Sequence, residues 1–138
     1  MMIICFLLEV AFHVLSVYRE PVVVLQVSGI EQAGGQVMVA VYNSRETYMD
    51  TDRMFHEQVI PVSAVGTLNI ELKIPSGKYA VTIFHDVNGD HKLNTNVFGI
   101  PREPYGFSND ARGTFGPPSY GEALAEAVYD QPLRITLR

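Results

Sequence analysis

Alternation of apolar and polar residues runs through most of the chain and breaks down in one stretch. Val22 to Ile30 (VVVLQVSGI) is rich in β-branched residues and punctuated by Pro21 and Gly29. Gly35 to Asn43 (GQVMVAVYN) sets Val37, Val39 and Val41 against Met38, Ala40 and Tyr42. Both have the two-residue period of a strand. The EQAGG between them supplies the glycines of a tight hairpin, which predicts antiparallel neighbours. Ser44 to Phe55 loses the period, and with Ser44 and Asp50 as N-cap residues it is predicted to be a loop with a short helix.

Glu57 to Val62 predicts a short strand, with Pro61 at an edge or a strand end because proline has no N–H for a ladder. Thr67 to Ile74 places Leu68, Ile70, Leu72 and Ile74 on one face, which belongs in a core. After the turn residues Pro75-Ser76-Gly77, Lys78 to Phe84 alternates again, as does Leu133 to Leu137. Ser119-Tyr120-Gly121-Glu122 fits a capping box, and the residues from Ala123 to Ala127 favour a helix after it. About seven short strands with one or two short helices predict an all-β protein, an antiparallel β-sandwich formed as a single domain over residues 21–138.

The first seventeen residues, MMIICFLLEVAFHVLSV, are apolar but interrupted by Glu9 and His13 and too short for a span of roughly 20 apolar residues. Residues 1–20 are expected to be a signal peptide or N-terminal extension, although no basic start precedes the apolar run. The single cysteine, Cys5, excludes an internal disulfide and a cysteine-based zinc site, and no stable membrane anchor is expected from it. A hydrophobic content of 47% places the chain among folded proteins. The net charge of −5, with no Lys/Arg cluster, argues against nucleic acid as a partner. The expected state is a monomer.

His85 to Tyr120 has no sustained period and carries the candidate chemistry. Asp86, Asn88, Asp90, the Lys92 carbonyl and Asn94 fall at positions one, three, five, seven and nine of an EF-type calcium loop, which delivers hard oxygen ligands at alternate positions. Position six is His91 where glycine is usual, and position twelve is Val97 where a bidentate Glu is usual. Two carboxylates imply weak binding unless Asn96, Asp110 or Glu103 folds back to contribute. Asn96 is therefore included in the expected ligand set. The metal-free alternative is a plain hairpin on the Asn88-Gly89 type I′ signal. A transition metal held by His85, His91 and His56 is a weaker alternative, since the histidines lack ligand spacing.

Phe98 to Pro118 is too long for an idle connection. Tyr105, Phe107, Phe115 and Tyr120 either pin it to the sheet or line a groove. Beside them His85, Arg102, Asn109, Asp110 and Arg112 are polar groups placed to meet a ligand or partner. The alternative is a self-packed cover over the sandwich, with Arg112 paired to Asp110 or Glu103.

The pieces G-K-Y-A-V-T-I-F-H-D at Gly77 to Asp86, N-G-D-H-K-L-N-T-N at Asn88 to Asn96, Gly99 to Gly113, and F-G-P-P-S at Phe115 to Ser119 resemble the signature block of a bacterial family catalogued as domain of unknown function 2141. The resemblance implies an exported protein, periplasmic or secreted, with a transthyretin-like or immunoglobulin-like sandwich, and it implies no activity. Catalysis needs a nucleophile beside a base. Ser108 or Ser119 with His85 and Asp86 can be drawn as a triad, but no nucleophile elbow is present. The expected function is a non-catalytic exported module whose calcium loop supports a loop that binds a protein, peptide or glycan. A purely structural domain is the alternative, and a hydrolase ranks below both.

Overall fold

The computed structural model describes residues 20–138. The expected signal peptide or extension, Glu20 apart, and Cys5 lie outside the described residues. In chain order the elements are β1 (Val23–Ile30), β2 (Gln36–Tyr42), β3 (His56–Pro61), β4 (Gly66–Leu72), β5 (Gly77–Asp86), β6 (Tyr105–Phe107), α1 (Tyr120–Ala123), β7 (Leu124–Ala127) and β8 (Leu133–Thr136). They form two sheets, β4-β1-β8 and β3-β2-β5-β6, with β7 also on β5. Thr82 to Phe84 of β5 pairs with β6, and Gly77 to Ala80 pairs with β7, so these two short strands follow one another along one side of β5. The result is a β-sandwich.

Alternation places the core. Val23, Leu25 and Val27 of β1, Ile70 and Leu72 of β4 and Ile135 of β8 meet Val37, Val39 and Val41 of β2 and Val81 and Ile83 of β5 in one buried cluster. Each such side chain contributes about 1.5–3 kcal/mol by leaving water. The outer face of β2 and β5 carries a second cluster around Tyr42, Ala80, Phe107 and Ala123. Pro61 closes edge strand β3, where its missing N–H breaks no ladder.

Three expectations are corrected. β1 and β2 are not a hairpin: β1 pairs with β4 and β8, whereas β2 pairs with β3 and β5. Each has one fully buried face, and those faces meet across the core; alternation alone does not separate stacking from pairing. The linker passes through Gly34 and Gly35 at φ 100° and 63°. A side chain at Gly35 would strike the backbone of Asp86 and Val87, so the linker is pressed against the end of β5. The sandwich is antiparallel as expected, apart from β8, which runs parallel to β1. The helix after Ser119 stops at Ala123, because Leu124–Ala127 pairs with β5 and the tertiary ladder overrides helix propensity. The segment from Ser44 to Phe55 forms turns in place of a helix, with Met49 at φ 67° and Asp50 accepting from Asp52 N–H at 3.0 Å.

Candidate metal centre

The last two residues of β5 point to opposite faces. His85 enters the interior and Asp86 turns outward opposite Gln36 of β2. Asp86 is fully buried there and serves as the hub of the following loop. Its Oδ1 accepts from Gly89 N–H at 3.0 Å, and its Oδ2 accepts from His91 N–H and Gln36 Nε2, both at 2.9 Å. Gly89 and His91 have φ of 75° and 62°, whereas Asn88 is not in the left-handed region. A type I′ turn needs positive φ at both central residues, so the plain Asn88-Gly89 hairpin does not form. The left-handed His91 restores the bend that an EF-type loop ordinarily takes from glycine at position six.

Position twelve is replaced by a residue from further along the chain. Val97 is 92% exposed, while Glu103 folds back and is buried. Glu103 Oε1 accepts from Val87 N–H at 3.2 Å and Oε2 from Asn94 N–H at 3.1 Å. Asp86, Asp90 and Glu103 each place a carboxylate oxygen within 4.8 Å of the others. Asp90 Oδ1 accepts from Lys92 N–H at 3.0 Å, and its Oδ2 accepts from Asn94 Nδ2 at 2.9 Å and Asn88 Nδ2 at 3.4 Å. The Asn94 bond first, and then that of the Lys92 N–H, holds the Asp90 carboxyl below its ordinary value of 3.8. Half a turn of either amide would present a carbonyl oxygen in place of its NH2. This grouping contains carboxylates alone, so the histidine-based metal site is not assembled among the described residues.

Asn96 departs from the expected ligand set. Its Oδ1 accepts from Phe98 N–H at 2.9 Å and Ile100 N–H at 3.0 Å, which folds residues 95–101 into a tight hairpin. Gly99 at φ 75° and the Thr95–Pro101 bridge complete it. Arg102 N–H donates to Asn94 C=O at 2.7 Å, seating the hairpin on the acidic loop. The tip presents Val97, Phe98 and Ile100 to solvent, with Phe98 84% exposed.

The second half of the stretch packs inward. Phe107 is buried edge-on to Tyr105, and Tyr42, Tyr48 and Tyr120 form a chain of edge contacts with centroids 5.6 and 5.7 Å apart. Tyr48 donates to Pro118 C=O at 2.9 Å, and burial, followed by Tyr42 and Glu122, pushes its phenol up to about 12. The capping box forms as expected, with Ser119 Oγ accepting from Glu122 N–H and Glu122 Oε2 from Ser119 N–H. This is the self-packed cover, except that Phe115 stands fully exposed.

His85, expected to face a ligand, is enclosed instead. Its Nε2 donates to Gly34 C=O at 2.7 Å, and Nδ1 is buried without a partner. Phe107 is likewise taken up by packing. Asn109 and Asp110 adopt φ of 60° and 43°; Asn109 Nδ2 donates to Glu122 C=O and Asp110 Oδ1 accepts from Thr136 N–H. Arg102 and Arg112 are exposed, and the sole ion pair among the described residues is Arg53–Asp50, so Arg112 pairs with neither Asp110 nor Glu103. The drawn triad does not assemble: Ser108 donates its hydroxyl to Ala123 C=O and accepts from Val81 N–H, and Ser119 caps α1. Sequence spacing named Glu103 only as a conditional ligand and missed Gln36, because both reach the loop through the fold and not through the motif.

The family described as "Uncharacterized protein conserved in bacteria (DUF2141)" matches residues 25–134, and the chain belongs to it. No curated protein and no solved structure matches the chain.

Proposed function

We propose that the chain is a non-catalytic, exported β-sandwich module in which a calcium ion locks the 95–101 hairpin for docking with a protein, peptide or glycan partner. The observation that carries this is the convergence of Asp86, Asp90 and Glu103, three carboxylates within 4.8 Å of one another. No Lys, Arg or His side chain pairs with them among the described residues. Like charges at this separation repel, and an all-oxygen donor set suits a hard cation. Asn88 and Asn94 stand beside Asp90 to complete the coordination by rotating their amides. Because Glu103 also bonds Asn94, an ion there bears on the base of the hairpin as well as on the loop.

Calcium titration followed by thermal denaturation tests the reading. Extracellular modules bind calcium with Kd of about 10⁻⁴–10⁻³ M. An excess of about 100-fold over Kd raises stability by about 2.7 kcal/mol. A melting temperature that is identical in calcium and in chelator removes the ion from the account.

One observation favours a second reading, a purely structural loop. All six oxygens of Asp86, Asp90 and Glu103 already accept hydrogen bonds from N–H donors. In that case substitution of Arg102 or Tyr105 by alanine changes stability and nothing else.

A further inference from the structure

The outward face of the β4-β1-β8 sheet is built from polar rows. In one row Asn69, Gln26 and Arg134 lie side by side across the three strands. Gln26 Nε2 donates to Asn69 Oδ1 at 3.3 Å, and its Oε1 accepts from Arg134 Nε at 3.2 Å. The next row joins Ser28 Oγ to Thr136 Oγ1 at 3.1 Å. At the start of β1 this face deepens into a groove of about 390 Å³, floored by Val24, Gln26 and Asn69 and walled by Glu71 on one side and Tyr129 and Asp130 on the other. A second hollow, of about 310 Å³, continues past Asp130 to Glu126. The Tyr129 hydroxyl accepts from Ser76 N–H at 3.1 Å, which fixes a ring that remains 43% exposed.

We propose that this groove binds an uncharged carbohydrate chain. Sugar hydroxyls both donate and accept hydrogen bonds. The groove answers with three amides that do both, Gln26, Asn69 and Gln131, and two carboxylates that accept. The C–H face of a sugar ring needs a flat apolar partner, and Tyr129 is a ring held in place beside the polar floor. The charge selects among ligands: Glu71 and Asp130 line the groove against one neighbouring cation, Arg134, whose Nε is already bonded to Gln26, so an anionic chain is disfavoured. Its apolar side chains are Val24, Pro132 and the Tyr129 ring, too few to seat the i, i+3, i+4, i+7 anchors of a hydrophobic helix. The volume lies within the roughly 300–1,000 Å³ of small-ligand sites. Bonds among Gln26, Asn69 and Arg134 order the floor in advance, so binding fixes few additional rotamers. The site is independent of the cation loop. It lies where β1 begins and β4 ends, whereas the far end of β1 leads through Gly35 to Asp86.

The test is amide-resolved NMR titration of the full chain with four probes: neutral β-1,4-linked glucose hexamer, neutral β-1,4-linked N-acetylglucosamine hexamer, oligogalacturonate and oligolysine. The expected result is millimolar binding of at least one neutral probe, with shifts centred on residues 24–26, 69–71 and 129–132. Tyr129→Ala and Gln26→Ala each weaken it about tenfold with the amide spectrum otherwise preserved, and Tyr129→Phe retains the ring contact. Shift mapping on the unmodified chain keeps the test decisive if a variant misfolds. Saturating concentrations of both neutral sugars without shifts in these segments overturn the proposal. So does binding that survives Tyr129→Ala, or oligolysine binding at least as tight as that of the sugars, which would make the groove a site for basic peptides.

Discussion

Residues 86–103 and 104–123 belong to one unpatterned stretch of turn formers, acids and aromatics, yet they are folded on opposite principles. The first segment ties its polar side chains to its own backbone and turns its apolar ones out: Asp86, Asp90, Asn96 and Glu103 accept the loop's N–H groups while Val97 and Phe98 face water. The second buries Phe107 and Ser108 against the outer face of the second sheet, with Tyr105 edge-on to Phe107 and Tyr120 edge-on to Tyr48. Their electrostatics diverge in the same way. Hydrogen bonds hold the Asp90 carboxyl down, and burial drives the Tyr48 phenol up. The displayed loop and the cover differ in aromatic content, one ring against four, and in where the backbone N–H groups find acceptors.

The sharpest way to break this contrast is Asp86→Ala. It takes the charged acceptor away from the Gly89 and His91 N–H groups and the Gln36 amide, three part-buried hydrogen bonds, at an expected cost of about 2–3 kcal/mol in urea denaturation. A loss under 1 kcal/mol would show that the first segment does not depend on its carboxylate hub. Ser108→Ala tests the cover. Removing one hydroxyl strands Val81 N–H and Ala123 C=O, and the expected loss is about 1–3 kcal/mol by the same assay.

Alkaline pH should then separate the segments without mutation. The folded chain holds the Tyr48 proton more tightly than the unfolded chain, whose phenol titrates near 10.0. The stability this contributes is present below pH 10.0 and is lost as pH rises through about 12. Amide exchange should quicken around Pro118 and Tyr120 over that window, ahead of the 86–96 loop; simultaneous loosening of both would contradict the division. The smallest effect belongs to Phe98→Ser. Its exposed ring supports nothing within the chain, so stability should stay within about 0.5 kcal/mol while docking of any partner at the hairpin tip is lost. A larger loss of stability would mean that the tip is part of the fold.

Much of this was legible along the chain. The core faces of β1, β2, β4 and β5, the edge position of Pro61 and the capping box at Ser119 follow from period and local chemistry. What escaped is long-range pairing. Whether Val37 stacks on β1 or pairs beside it depends on contacts that alternation does not encode. Leu124 to Ala127 chose a strand because β5 offered it a ladder. In the loop, the alternating oxygen-bearing residues from Asp86 to Asn94 were readable, but Glu103 could be named only alongside Asn96 and Asp110 as a candidate to fold back, since it arrives only after the 95–101 hairpin has turned the chain back. His85 reads as an exposed functional residue from its neighbours, and the two-residue period of β5 instead carries it inward.

The seating of β8 bears on how the chain assembles. It lies parallel to β1 on the side away from β4, and just beyond it Arg138 exchanges backbone hydrogen bonds with Tyr105 in the other sheet, N to O at 3.1 Å in both directions. One short strand thus seams the two sheets together across a sequence separation of 108 residues between Ser28 and Thr136. During synthesis β1 waits with one edge unpaired until this segment has emerged, and closing so distant a contact is slow. The interval before that closure is when the open edge of β1 is most vulnerable to capture by a strand of another molecule.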